Sequence, residues 1–243
     1  MNSEIIGPET LNLLAQFDTP TVCNVIELFN NRPRTEGYMN ASIVSCFPEM
    51  PPMVGFAATA TFKGSTPKED LSYGGIEKQV DSFSLLQGPA IVVFEDLDQP
   101  TVSATFGEIM CTSYQKFGAS GLITSGAGRD LDQVRALGFP VFTNGTICSH
   151  GYSRFPSIGE EITVGGIKVK PGDLLHGDCN GVTTIPKSIA GKVAALCKPY
   201  MEAEGIILKY LNSQQVTVQG LAQAQQECKE YLKKLASSID DRS

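Results

Sequence analysis

Tryptophan is absent from the 243-residue chain, and histidine occurs only twice, at His150 and His176. Two imidazoles are too few for a histidine-built zinc cluster. No run of lysines or arginines appears, and 19 basic residues are outnumbered by 26 acidic ones, for a net charge of −7. Such a chain repels phosphate backbones, so no nucleic-acid partner is expected. No C-x-x-C pair occurs among the seven cysteines, Cys23, Cys46, Cys111, Cys148, Cys179, Cys197 and Cys228. The odd count predicts free thiols in a reducing compartment. No apolar stretch approaches the ~20 residues of a spanning helix. The opening MNSEIIGPETLNLL has no basic segment followed by an apolar one. The expectation is a cytoplasmic protein without a membrane partner.

What is present reads as a large α/β core. Pro8 opens a first helix with Leu11, Leu14 and Phe17 on one side, and Thr19-Pro20 predicts the N-cap and first residue of a second. Val22, Val25, Ile26 and Phe29 repeat at the spacing of a buried helical face. From Met53 to Phe62 the period changes to alternation, predicting a half-buried strand with Ala41–Phe47 as its neighbour. A loop is predicted over Gly64–Gly75, then an amphipathic stretch over Ile76–Leu86. Apolar runs at Ala90–Phe94, Gly121–Thr124 and Pro140–Thr143 alternate with helical stretches at Glu108–Phe117 and Leu131–Leu137, a pattern of parallel β-α-β units. Glu161–Val169 has the form of a hairpin turning at Gly165-Gly166. A strand over Val182–Ile185, a long helix from Pro186 to about Leu211 and a polar helix from about Val218 to Ala236 complete the chain. The Gln-rich stretch at Gln223–Gln226 reads as a solvated helix face.

One constellation carries the chemistry. Gly107-Glu108-Ile109-Met110 opens a helix, and Ser125-Gly126-Ala127-Gly128-Arg129-Asp130 closes the next strand. Both fall at strand-to-helix junctions of neighbouring units, where ligands bind in open α/β sheets. Gly126 and Gly128 are expected at positive φ, close to a ligand. Arg129 offers a planar fork suited to a carboxylate, and Asp130 offers hard oxygens suited to magnesium or manganese. Amides at the helix start suit an anion or enolate oxygen, and Glu108 adds a carboxylate for a metal's water shell or for proton transfer. The residues alone also fit a plainer arrangement: a tight turn whose Arg and Asp pair at the surface, with Glu108 as first-turn helix charge. His176 is expected to be packed or exposed, and Cys111 and Cys148 are expected to be small buried fillers.

The succession Gly107-Glu108-Ile109-Met110, Gly118 to Gly121, Gly126–Asp130, Pro140-Val141-Phe142, Val169–Asp173 and Gly177–Pro186 resembles, in order, the signatures of the RraA-like/4-hydroxy-4-methyl-2-oxoglutarate (HMG/CHA) aldolase family. The resemblance runs from about Leu11 to Leu211. It implies a β/β/α swivelling sandwich over residues 1–213, with N-terminal helices, followed by a C-terminal helical extension over 214–243. It also implies a homotrimer or homohexamer with active sites between subunits. In the aldolase branch, the resemblance assigns Arg129 to the keto-acid carboxylate and enolate, Asp130 to Mg2+ (or Mn2+), and Glu108 to catalysis. Gly107, Ile109 and Met110 would hold the pyruvyl group, and Glu204 of an adjacent subunit, or Glu202, would complete the metal's water shell.

The implied reaction is retro-aldol cleavage of a 4-substituted 2-keto acid, or oxaloacetate decarboxylation, through a pyruvate enolate. The alternative is a regulatory protein like RraA itself, which docks on ribonuclease E. Three positions depart from the family pattern: Asn24 and Asn180 stand where acidic residues are common, and Gln133 occupies a third acidic position. A methyltransferase reading has no support, since no Gly-rich loop with a downstream acid follows the first strand.

Overall fold

The computed structural model describes residues 5–67 and 75–240. Most of the predicted loop Gly64–Gly75 therefore lies outside the described residues, as do the first four residues of the chain.

The strands are β1 (Val44–Ser45), β2 (Met53–Phe62), β3 (Ala90–Asp96), β4 (Ala104–Phe106), β5 (Ala119–Thr124), β6 (Ala127–Gly128), β7 (Val141–Thr143), β8 (Ile162–Val164), β9 (Ile167–Val169), β10 (Leu174–Asp178) and β11 (Gly181–Ile185). The helices are α1 (Pro8–Leu14), α2 (Thr19–Glu27), α3 (Ile76–Ser82), α4 (Glu108–Lys116), α5 (Leu131–Ala136), α6 (Ala190–Leu211) and α7 (Val218–Asp240). Seven strands form one sheet in the order β1-β7-β5-β3-β2-β10-β11. β2, β3, β5 and β7 run parallel, and β1, β10 and β11 extend the sheet antiparallel.

Alternation along the strands builds three layers. Ala58, Ala60, Phe62, Val92, Phe94 and Leu122 pack with Cys111, Tyr114 and Val134 of α4 and α5. On the same face, Val54, Phe56, Leu174 and Ile185 pack against α1, α2 and α6. The opposite residues, Ala57, Ile91, Val93 and Ile123, meet Ile162, Val164 and Val169 of the β8–β9 hairpin. The result is hairpin on sheet on helices, the β/β/α arrangement. α7 lies outside, against α6.

Three local expectations are corrected. β2 is buried almost throughout, not half-buried, because helices cover one face and the hairpin the other. Its neighbours are β3 and β10, and the Ala41–Phe47 segment contributes only β1, which pairs with β7. The N-cap of α2 is Asp18, whose carboxylate accepts from the Thr21 N–H at 2.8 Å. Thr19 is committed elsewhere: its N–H donates to Asp178 and its hydroxyl pairs with His176.

His176 is fully buried on β10. Its Nε2 lies 3.1 Å from the Leu14 carbonyl, which can only accept, so Nε2 carries the proton and Nδ1 accepts from the Thr19 hydroxyl at 2.9 Å. One ring thus ties the end of α1 and the start of α2 to the sheet. The packing role expected for His176 is observed. The seven cysteines are free; Cys111 is a buried filler, but Cys148 is exposed, because it follows β7 on a surface loop.

Candidate functional site

The candidate residues meet because of two strands too short to leave a sequence pattern. β4 and β6 pair in parallel beyond the ends of β3 and β5, with Phe106 opposite Gly128. The Arg129 N–H donates to the Phe106 carbonyl at 3.1 Å, carrying the pairing one residue further. Gly107 and Glu108 therefore lie beside Arg129 and Asp130. The Glu108 N–H donates to Asp130 Oδ2 at 3.0 Å, so Asp130 holds the start of α4.

Glycine is required at Gly107 for steric reasons: a Cβ there would fall 2.5 Å from Asp130 Oδ2 and 3.0 Å from Arg129 Nε. Gly126 and Gly128 do not adopt the positive φ expected of them. Gly128 lies in β6 and Gly126 in the bend before it, and both are bare because the core leaves no room: a Cβ on Gly128 would enter the Phe106 ring, and one on Gly126 would sit 2.5 Å from Asp96 Oδ2. The left-handed residue is instead Asp130, at φ 55°, a conformation that Asp tolerates better than most side chains.

Arg129 and Asp130 are each about one-third exposed, and Arg129 Nε stands 3.8 Å from Asp130 Oδ2, an ion pair too long to be a hydrogen bond. No described residue accepts a hydrogen bond from the guanidinium. The Ile109 and Met110 amides, in the first turn of α4, also have no partner among the described residues, whereas the Cys111 amide bonds back to Gly107. Forked cationic donors and two free amides thus flank a carboxylate with one oxygen occupied and one free. The Glu108 side chain is exposed at the same helix start. The site joins Gly107, Glu108, Ile109, Met110, Arg129 and Asp130.

Glu204 lies elsewhere in the same copy. α6 packs on α1, α2 and α7, and Glu204 is half-buried near Asp18, Tyr200 and Cys228. Burial first, then the Asp18 charge, raises its carboxyl above the usual range. Glu202 is exposed on the same helix. Among the departures from the family pattern, Asn180 donates to Asp178 and Gln133 faces solvent.

Sequence reasoning did not single out a cavity beyond the C-terminal ends of β3, β5 and β7. It has a volume of about 360 Å³ and is lined by Gln99, Thr101, Gly126, Ala127, Asn144 and Thr146, among others. The signal was weak: these residues follow β3, β5 and β7, where parallel strands gather their ligand loops, but none belongs to a chemical motif. A larger cavity of about 450 Å³ lies at the opposite ends of the strands, between α1 and Pro51–Val54. Neither cavity has a titratable side chain in its wall, and none of the candidate residues lines either one, so chemistry and volume part company here.

Comparison with known proteins identifies the family. A family model described as RraA-like: Aldolase/RraA matches residues 19–184. A Halalkalibacterium halodurans protein, provisionally named a 4-hydroxy-4-methyl-2-oxoglutarate aldolase, is 35% identical over 100 residues. That match takes in 41% of this chain and spans about half (48%) of the relative's length. An uncharacterised Pseudomonas syringae protein of known structure shares the fold at a TM-score of 0.72 and 20% identity, covering 93% of this chain and 97% of that one. Streptomyces coelicolor RraAS2, described as an unusual member of the RNase ES inhibitor RraA family, superposes at a TM-score of 0.66 and 18% identity, over 83% of this chain and 96% of its own. With the family pattern spanning most of the sequence, the chain belongs to the RraA-like (Aldolase/RraA) family.

Proposed function

We propose that this chain is a divalent-metal-dependent lyase that cleaves a 4-substituted 2-keto acid through a pyruvate enolate, by retro-aldol reaction or by decarboxylation of oxaloacetate. The observation that carries the reading is the set of unspent donors beside a carboxylate: the Arg129 guanidinium and the Ile109 and Met110 amides, next to Asp130. A structural arginine normally spends its donors on protein acceptors. The name of the Halalkalibacterium relative agrees with this chemistry.

In this reading Arg129 takes the substrate carboxylate in its fork, and the α4 amides face the oxygen on which enolate charge grows. One preorganised donor to such an oxyanion is commonly worth about 3 kcal/mol. Glu108 moves the proton, taking it from the C4 hydroxyl in the aldol case. The donor set fits magnesium or manganese and not a zinc site. The described residues contain no cluster of three or more His, Cys, Asp or Glu side chains, while Asp130 keeps one free carboxylate oxygen. Magnesium is typically held by one or two carboxylates and keeps several waters. Asp130 would hold the cation, with Glu204 of a neighbouring copy beyond its water shell. When bound, the cation supplies Lewis-acid polarisation of the keto oxygen.

The test is pyruvate release from oxaloacetate with added magnesium, abolished by EDTA and restored by fresh metal. Absence of metal-dependent turnover with every 4-substituted 2-keto acid tried would reject the enzyme and leave the regulatory binding protein.

A homotrimer or homohexamer forms part of the same proposal. Ile109 and Phe117, at the two ends of α4, are 67% and 65% exposed, and Ile109 adjoins the site. Burying such side chains between copies is worth roughly 1.5–3 kcal/mol each. Light scattering at micromolar concentration should give a mass of three or six times 26.1 kDa. A monomer that turns over normally would remove Glu204 from the metal site.

A further inference from the structure

The candidate chemistry sits at the starts of α4 and α5, and a side chain outside the site ties their far ends together. α4 has nine residues, fewer than the roughly 12–15 that an isolated helix needs in water, so its surroundings decide where it lies. Cys111 and Tyr114 set its buried face against the sheet. The Tyr114 hydroxyl donates to Gln79 Oε1 at 2.6 Å, and Gln79 Nε2 donates to the Ala58 carbonyl of β2 at 3.2 Å. These bonds fix α4 to the sheet but not to α5.

Two further hydrogen bonds do that. At the helix starts, the side chain of Asp130, the N-cap of α5, accepts from the backbone N–H of Glu108 on α4 at 3.0 Å. At the helix ends, the side chain of Gln115 on α4 donates from Nε2 to the backbone carbonyl of Leu137, the C-cap of α5, at 2.9 Å. Both bonds span 22 positions of sequence. The helices therefore run side by side in the same direction and in one register. On each, about 10.5 Å of axis, close to two turns, separates the ties, and residues that far apart return to nearly the same side. Both ties thus lie along the contact between α4 and α5.

The far tie matters because the near one is shared with the chemistry. In the function proposed above, one Asp130 oxygen takes the cation while the other holds the start of α4, so a shift of that carboxylate toward the cation pulls on the helix. Gln115 is half-buried and two turns away, and it holds α4 with a group that takes no part in the reaction. Its acceptor lies at a helix end, where carbonyls lack intrahelical partners.

We infer that Gln115 is a positioning residue of the lyase: its bond to Leu137 keeps α4 aligned with α5, so that the Ile109 and Met110 amides stay aimed at the oxygen where enolate charge grows. The inference rests on the proposed function. Arg129, which takes the substrate carboxylate in that reading, is held by its own N–H to Phe106 on β4 and does not depend on α4. Anchoring and charge stabilisation thus come from different elements. Loss of the Gln115 tie should therefore appear in kcat and not in KM.

The experiment measures kcat and KM for oxaloacetate decarboxylation, the magnesium concentration giving half-maximal rate, and the melting temperature, in the parent and three variants. Gln115→Met keeps the length and removes the donor. It should lower kcat about tenfold, less than the ~100-fold that a 1 Å misplacement costs, with KM and the magnesium requirement within about twofold of the parent. Gln115→Glu, with acceptors only, should fall at least as far and gives the same reading if the methionine variant folds poorly. Gln115→Lys restores a donor suited to a helix C-terminus and should bring kcat back to within about threefold of the parent. A purely structural glutamine would lower the melting temperature and leave kcat unmoved. An unmoved kcat in the folded donor-less variants, a loss carried by KM, failure of lysine to rescue, or unfolding of both donor-less variants overturns the positioning role, while turnover in the parent leaves the lyase standing. A parent without turnover overturns both.

Discussion

Arg129→Ala is expected to lower kcat/KM by at least about 100-fold, the usual consequence of deleting a preorganised donor to developing negative charge. The protein should stay folded, because the Arg129 guanidinium makes no hydrogen bond to a described residue and its ion pair with Asp130, at 3.8 Å and one-third exposed, contributes little to stability. Arg129→Lys should recover only part of the loss, since an ammonium restores the charge without the planar fork. Steady-state kinetics with circular dichroism of each variant checks this. Unchanged kcat/KM in the folded alanine variant would take the guanidinium out of the mechanism and return the Arg-Asp pair to a surface role. Asp130 makes a poorer first probe, because it also accepts the Glu108 N–H at the start of α4, so its removal mixes loss of chemistry with loss of a helix anchor.

The second large effect concerns stability. His176→Leu should cost about 3 kcal/mol, because it strands the Leu14 carbonyl and the Thr19 hydroxyl in a buried layer and each unsatisfied group costs roughly 1–3 kcal/mol. For a domain of this size the melting temperature should fall by roughly 6–12 °C. The same residue sets a pH dependence. Burial is the main cause holding His176 below its ordinary value near 6.5, opposed by the Leu14 and Phe17 carbonyls and by the charges of Asp178 and Asp18. The folded state therefore binds the proton less readily than the unfolded chain. Its contribution is fully present above pH 6.5 and declines as the pH falls below that value. Urea titrations between pH 5 and 8 should show a loss on acidification that is absent in His176→Leu. A loss under 1 kcal/mol in the variant would mean that neighbouring groups find other partners.

The elements were legible where the pattern was long. α2, α4, β2, β3, the β8–β9 hairpin and α6 fall close to their predicted limits, because their apolar residues repeat over several turns or pleats. β4 and β6 were not legible. Three residues and two residues carry no period, and their pairing is a contact across more than twenty positions of sequence. β10 was missed for a related reason: Leu174–Asp178 includes His176, a glycine and an acid, and shows no strand pattern until α1, α2 and β2 are laid against it. The N-cap of α2 shifted to Asp18 because the Thr19 hydroxyl found a partner 157 residues away.

Composition and spacing by themselves determined the acidic, thiol-bearing α/β character of the chain, the parallel units at its centre and the candidate residues that the proposed function uses. These follow from local chemistry and from periods short enough to be read along one strand or helix. Tertiary structure alone decided that Glu108 and Arg129-Asp130 share one place, and that Gly126 and Gly128 answer to Asp96 and Phe106 and not to backbone torsion. Each of these is a distance between segments far apart in sequence, set by how strands pair and side chains fill space.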